Sequence, residues 1–438
     1  MNGHLIVVDL GYGDAGKGTI VDWLCASRAR DGRPVRAVVR FNGGAQAAHH
    51  VLAPSGQVHP FAQFGSGTFT PGTRTFLSRF MLLDPLALVA EAERLRCLGV
   101  ADPFGLVTVD RAALLTTPYH RAANHAREQA RGAARHGSCG MGIGETASYA
   151  LAYPADAPRA GDLVAPRTLL RKLTLLRDRL APGPAIDSAG SPPPADVAAV
   201  FQAVGARLTL AGDGYLTGLL RAGPVVFEGA QGVLLDEWRG FHPYTTWSTT
   251  TFENAETLLA EGGAAGTATR LGVTRTYQTR HGPGPFPTED PGLDVTEPHN
   301  ADGRWQGPFR AGHLDAVALS YAARVAGGVD AVALTHLDTA RRLAGKLRVG
   351  RGYQVGGRVV TAIEPGPPRD LTAQQALTDM LLTARPVYDP AGPVGAEDWP
   401  DVAAQILGAP VTIRSHGPGR AAKAVTGRRP SPLAGLPR

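Results

Sequence analysis

Residues 5–18 read LIVVDLGYGDAGKG, and the reading of the fold turns on them. The first six form a short β-branched run that ends at glycine, the pattern of a buried strand. Residues 11–18, GYGDAGKG, match the first seven positions of a phosphate loop, Gly-x-x-x-x-Gly-Lys. Residues 19–29 then place Ile20, Trp23 and Leu24 on one helical face. Strand, glycine turn and helix together open an α/β nucleotide-binding fold. Glycines let backbone amides turn toward phosphate oxygens, Lys17 adds a point charge, and the helix start adds its partial positive charge. An ordinary phosphate loop carries Ser or Thr where this chain has Gly18, so the usual hydroxyl ligand for Mg²⁺ is missing. Asp14 lies inside the loop instead. A carboxylate there repels phosphate unless it holds a metal or moves a proton; the plainer alternative is a glycine turn with a helix-capping aspartate.

Further along, strands and helices alternate. Residues 35–41 (VRAVVRF) predict a second strand, and residues 84–98 a helix with Asp84 as N-cap and Pro85 at its first position. Residues 169–180 form a basic amphipathic pattern, and residues 224–227, 331–334 and 411–414 read as strands that run into candidate functional turns. The expected architecture is therefore α/β, a central mostly parallel sheet with ligands outside the carboxyl ends of its strands. One domain is expected over residues 1–425, with subdomain insertions and a Pro/Gly-rich loop over 181–195. A flexible Arg/Pro-rich tail follows over 426–438.

Composition narrows the partners. The 438 residues are 43% hydrophobic, enough for a large core. The net charge of +6 comes from scattered arginines, and aromatics are only 6%, which speaks against base-stacking platforms and hence against nucleic acid. The best apolar run, residues 316–334, is broken by Arg324 and Asp330, so no membrane span is expected. Cys25, Cys97 and Cys139 are dispersed, without metal-ligand or disulfide spacing, which fits a reducing, cytoplasmic location. The start, MNGHLIVVDLGYG, has no basic leader and does not read as a signal peptide.

From GYGDAGKG onward the chain resembles the adenylosuccinate synthetase family. The loop match is Gly13, Asp14, Gly16, Lys17 and Gly18, followed by Ile20, Val21 and Asp22. In the same order come FNGGAQAAH (residues 41–49), ARGAARHGSCGMGIG (130–144), FEGAQGVLLD (227–236), PYTTWSTT (243–250), TRHGPGPFPTE (279–289), GHLD (312–315), LTHLD (334–338) and SHGP (415–418). A phosphate loop alone is a weak signal; a whole ordered series is a specific one.

The resemblance implies a GTP-dependent carbon–nitrogen ligase that joins aspartate to IMP through a 6-phosphoryl purine, as a homodimer with Mg²⁺. It implies Asp14 as general base and Mg²⁺ ligand, the backbone at Ala48 as a second ligand position, and His49 as the group that stabilises the transferred phosphoryl. Gly13, Gly16, Lys17, Gly18, His50, Asp338, Ser415 and Gly417 match GTP-binding positions. Asp338 can accept both guanine N1–H and N2–H₂, or can serve as a helix N-cap. Gln46, Ser138, Cys139, Gln231, Thr246, Arg304 and Arg310 match or lie nearest the positions that hold the purine nucleotide and the amino acid. Cys139 reads either as a new contact or as a small packing residue.

Departures cluster around those substrates. Residues 300–312 read NADGRWQGPFRAG, keeping only Arg304 and Arg310 of an arginine-rich family loop. Met141 stands at an arginine position, Cys139 at a threonine, His336 at a lysine and His281 at a valine, and Ala45–Gln46 replace His-Asn. A second expectation follows: a divergent paralogue that couples a different amine, or a different 6-oxopurine or lactam, or a non-catalytic GTP-binding relative.

Overall fold

The computed structural model describes residues 3–180, 191–295, 297, 300 and 302–426. Its centre is a ten-stranded sheet. In chain order the strands are β1 (His4–Asp9), β2 (Ala37–Arg40), β3 (Arg74–Leu77), β4 (Val107–Asp110), β5 (Thr209–Ala211), β6 (Val225–Gly232), β7 (Ala268–Arg275), β8 (Ala331–Thr335), β9 (Val411–Ser415) and β10 (Lys423–Val425). They lie side by side as β10-β9-β8-β7-β1-β6-β2-β3-β4-β5. Every pair is parallel except β9 with β10. The expected mostly parallel α/β sheet is present, with β1 near its middle.

Strand period sorts the core. Leu5 and Val7 face one side of the sheet with Val38, Val226 and Leu271. There they meet Ile20, Val21 and Leu24 of helix α1 (Lys17–Arg30). Ile6 and Val8 face the other side with Val39 and Phe227, in the cluster that holds Tyr321 and Trp399. Strands covered on both faces must be apolar throughout, which is why β1 and β2 read as continuous hydrophobic runs.

The helix expected over residues 84–98 is α2 (Pro85–Cys97). Asp84 accepts from the amides of Leu86 and Ala87, both at 3.0 Å, and Leu88, Ala92 and Leu95 are buried. The basic amphipathic helix spans Pro166–Leu180 and buries Leu169, Leu173 and Leu176. One boundary is corrected. The loop expected over 181–195 ends earlier, because Pro194 begins the helix Pro194–Gly205; proline lacks only an amide that the first helical turn leaves unpaired anyway. Residues 181–190 lie outside the described residues. Thr426, the first residue of the expected tail, donates its amide to Thr412 O and its hydroxyl to Val411 O; residues 427–438 lie outside the described ones. Among the described residues no helix is long and apolar enough to cross a membrane, and the three cysteines are free.

Candidate active site

The turn after β1 is built around a buried carboxylate. Asp9 Oδ1 accepts from the amides of Gly11 (2.8 Å) and Gly13 (3.3 Å), and Oδ2 from the amide of Ala15 (2.7 Å). Lys17 Nζ reaches the same Oδ2 at 3.2 Å and Gly13 O at 2.7 Å, and the lysine is only 2% exposed. Thr335 Oγ1, at the end of β8, donates to Ala15 O at 2.8 Å and ties the turn to the sheet. Gly13 and Gly16 have φ of 110° and 87°, which L side chains rarely adopt. Sequence reading passed over Asp9. The signal was there in an acidic residue at the carboxyl end of a buried strand, where unpaired charge is costly and a partner lysine is required.

Gly18 replaces the usual hydroxyl residue for a steric reason. A Cβ there would lie 2.5 Å from His49 Cβ and 3.0 Å from Ser66 Oγ. The missing side chain admits His49, carried on the hairpin strand His49–Leu52 that packs against α1. His49 Nδ1 lies 2.7 Å from Glu228 Oε1 on β6, and Glu228 also accepts from the amide of Ser66 at 2.9 Å and from the Ser66 hydroxyl. Burial pushes the Glu228 carboxyl upward, but the His49 imidazole, the Arg40 charge and these hydrogen bonds outweigh it and hold it below the usual range. Burial pushes His49 down, against the pull of Glu228. An ionised Glu228 fixes the Nδ1–H tautomer and leaves Nε2 for a ligand.

Asp14 faces a cavity of about 480 Å³ that opens beside the turn. The cavity wall also contains Gln46, Ala48, His49, His50, Ser138, Cys139, Gln231 and Thr246, so the structure gathers these expected residues with Gly13 around one space. Gln231 has a left-handed backbone, φ 56°, at the end of β6, where its Cα lies 3.2 Å from the place a Gly13 Cβ would take. Ser138 Oγ accepts from Asn124 Nδ2 at 2.9 Å. Burial raises the Cys139 thiol, so it stays protonated.

Asp14 has a partner that the sequence did not disclose. His281 Nε2 lies 3.2 Å from Asp14 Oδ2, off the line of a straight hydrogen bond. Burial works to raise the Asp14 carboxyl, but His281, Arg275 and Lys17 outweigh it, and the group sits below the usual carboxylate range. Asp14 makes no capping hydrogen bond; α1 begins on Gly16.

Asp338, Ser415 and Gly417 form a separate group at the carboxyl ends of β8 and β9. A Cβ on Gly417 would stand 4.0 Å from Asp338 Oδ2. Ser415 Oγ donates to Gly417 O at 3.1 Å, and Lys423 Nζ donates to the carbonyls of Gly417 (3.1 Å), Pro418 (3.1 Å) and Gly419 (3.0 Å). Asp338 is exposed in the first turn of the helix Leu337–Arg342, whose N-cap is His336. The capping alternative for Asp338 therefore falls. His336 is itself engaged, with Nε2 at 2.6 Å from Arg275. Across to α1, Thr19 Oγ1 donates to Pro418 O at 2.7 Å, and Arg420 pairs with Asp22 at 2.8 and 2.5 Å.

The two loop arginines stand apart from the cavity wall. Arg304 is exposed with its guanidinium 5.3 Å from the Trp305 ring centre. Arg310 donates to Glu289 Oε2 and Gly284 O, both at 2.8 Å, and to Gly282 O at 3.1 Å. Among the described residues no three His, Cys, Asp or Glu side chains cluster to hold a metal. The cavity wall carries Glu128, Glu145 and several hydroxyl and amide side chains, and among its oxygen donors the expected pair is the Asp14 carboxylate and the backbone at the exposed Ala48. A sparse oxygen set of this kind fits Mg²⁺, which takes most of its ligands from phosphates and water.

Comparison with known proteins agrees with this arrangement. The family model described as adenylosuccinate synthetase matches residues 6–423. Similar relatives include the adenylosuccinate synthetases of Anaeromyxobacter sp. strain Fw109-5, 33% identical over 392 residues and 86% of each chain, and of Acidithiobacillus ferrooxidans, 32% identical over 446 residues, 92% of this chain and 91% of that one. In fold the chain is similar to a fully ligated adenylosuccinate synthetase from Plasmodium falciparum (TM-score 0.78, 20% identity, 97% of this chain and 99% of that one). It is also similar to the succinoaminodeoxyadenylate synthetase of cyanophage S-2L bound to dGMP and dATP (TM-score 0.59, 17% identity, 97% and 96%). With the glycine turn, the cavity and the loop after β9 all inside the matched span, the chain belongs to the adenylosuccinate synthetase family of GTP-dependent ligases that form carbon–nitrogen bonds.

Proposed function

We propose that the chain is an adenylosuccinate synthase of purine nucleotide biosynthesis, converting IMP, L-aspartate and GTP to adenylosuccinate, GDP and phosphate. The observation that carries this reading is the meeting of Asp14 and His49 at one cavity beside the phosphate turn, with Gln231 and Thr246 in the same wall. Asp14 takes the N1 proton of the lactam, and the O6 oxygen then attacks the γ-phosphorus of GTP as GDP departs. The aspartate amine next adds at C6, and phosphate leaves with O6 as the amine gives up a proton. His49, braced through Nδ1 by Glu228, offers Nε2 to the moving phosphoryl; a proton there is stabilised by the Glu228 charge. Lys17 and the start of α1 serve the GTP phosphates, with Gly13, Gly16, Gly18 and His50 around them. Asp338, Ser415 and Gly417 serve the guanine. Gln46, Ser138 and Cys139 line the acceptor's side. Asp14 and the Ala48 carbonyl would hold Mg²⁺, which when bound neutralises phosphate charge. A cytoplasmic homodimer is part of the same reading.

A second reading, a paralogue with another amine or another 6-oxopurine, is favoured by one observation. The Arg310 guanidinium is already spent on Glu289 and two backbone carbonyls, and Arg304 stands outside the cavity wall, so neither is poised for an aspartate carboxylate. A protein of like fold, from cyanophage S-2L, was solved with dGMP. The deciding experiment incubates the protein with GTP, Mg²⁺, IMP and L-aspartate and follows GDP and product mass. Succinyl-purine that disappears in Asp14→Asn establishes the first reading. GTP turnover only with another 6-oxopurine or amine establishes the second, and GTP binding without turnover on any of them overturns both.

A further inference from the structure

The cavity wall includes an imidazole beside Asp14 that the proposed reaction leaves idle. His281 ends the short strand Gln278–His281, and its side chain leans on the Phe309 ring, with ring centres 5.0 Å apart. Strand pairing with Phe309–Gly312 places His281 opposite Phe309, so the backbone beneath the imidazole is held by its partner strand. From there Nε2 comes within 3.2 Å of Asp14 Oδ2. The two residues sit on different elements.

The open and closed sides of Asp14 differ. Oδ2, the oxygen next to His281, is shut off from solvent, yet the Asp14 side chain as a whole remains 29% exposed. What stays open therefore lies away from His281, toward the cavity. Without a neighbour, a carboxylate on a glycine-rich turn rotates freely about its last two bonds, and each rotation carries the proton-accepting oxygen away from its target. A base that must meet one ring N–H at hydrogen-bond distance loses rate when misplaced by even an ångström. A donor fixed on a paired strand removes that freedom.

We propose that His281 is a positioning residue for Asp14: its Nε2–H holds Oδ2 and presents the other oxygen to the lactam N–H of the acceptor. This rests on the reading of Asp14 as the base. The off-line approach in the free protein is typical of sites that tighten once substrate is bound. Nδ1 of His281 is buried and makes no well-formed hydrogen bond, with the Asn300 side chain beside the ring, so Nε2 is the nitrogen that faces Asp14.

The test uses the full-length protein and two substitutions. His281→Val removes the donor and keeps a strand-forming side chain, whereas His281→Gln restores an N–H close to the position of Nε2. Acceptor-dependent GDP release is expected to fall about tenfold or more in kcat for His281→Val, with KM for GTP within about twofold, and to recover in large part in His281→Gln. Asp14→Asn with His281→Val is expected to be no slower than Asp14→Asn alone, because the histidine acts only through the aspartate. A His281→Val protein with kcat near wild type, or a His281→Gln protein as damaged as His281→Val, overturns the proposal. If Asp14→Asn is itself fully active, the reading of the base fails instead, so the two failures are distinct. A readout independent of turnover is the imidazole ¹⁵N spectrum. The His281 Nε2 resonance is expected to move in Asp14→Asn, and an unmoved resonance overturns the proposal whatever the acceptor.

Discussion

Gly18 and His49 are packed so closely that a single added methyl on the glycine would sit 2.5 Å from the histidine Cβ. Restoring the hydroxyl of an ordinary phosphate loop therefore does not restore an ordinary phosphate loop. Gly18→Ser is expected to lower stability by about 1–3 kcal/mol, the usual cost of overpacking, and to displace His49. Urea unfolding together with acceptor-dependent GDP release measures both; a stable, fully active Gly18→Ser protein would show that the hairpin yields.

Glu228 braces His49 from behind and touches no substrate in the proposed chemistry. Glu228→Gln keeps the shape but replaces a charged acceptor by an amide that can no longer fix the imidazole tautomer. A drop of roughly 10²-fold in kcat is expected, the scale at which a positioned proton-transfer group acts, with KM for GTP little changed. A change confined to KM would place His49 in binding rather than in phosphoryl transfer.

Asp9 is the hub of the phosphate turn, gathering three amides and Lys17. Asp9→Ala leaves a buried ammonium with only Gly13 O, and a loss of roughly 3–5 kcal/mol is expected, the range for breaking one side of a buried pair. Chemical denaturation of Asp9→Ala, Lys17→Met and the double variant reads the coupling. Losses that simply add would mean that the two charges do not act as a pair.

Lys423 is drawn down to about 8, first by burial and against the pull of Asp22 and Asp338. Its folded pKa lies below its unfolded value near 10.5, so between about pH 8 and 10.5 the unfolded chain binds more protons. Stability therefore gains from this group as pH rises through that window, and its burial penalty is fully present below about pH 8. Urea midpoints taken at pH 7.5, 9 and 10 are expected to rise less with pH in Lys423→Met than in the wild type, and parallel slopes would refute the assignment.

Much of this was legible in consecutive residues. The turn at 11–18, α1, and the Asp84–Pro85 start of α2 follow from local chemistry, because caps, glycine turns and apolar periods act over a few positions. β7 was not legible. It holds the place beside β1, but it reads ATRLGVTR, where arginine and glycine break the apolar run. Pairings between distant segments were hidden for a different reason. Asp14 and His281 stand 267 positions apart, and neither residue's neighbours announce the other. Arg310 shows the converse limit. A sequence counts guanidinium groups, but only the packing reveals that Glu289 and two carbonyls have already claimed this one.

The loop after β9 leans on α1 through Thr19 with Pro418 and Asp22 with Arg420, contacts that join positions 399 and 398 residues apart. Helix α1 thus waits for a loop nearly 400 positions further along the chain before this contact forms. Truncated or still-nascent chains carry the phosphate turn without its partner loop. A fragment ending before Arg420 can display the glycine turn of the chain and still lack the ion pair that anchors the loop proposed to hold the guanine.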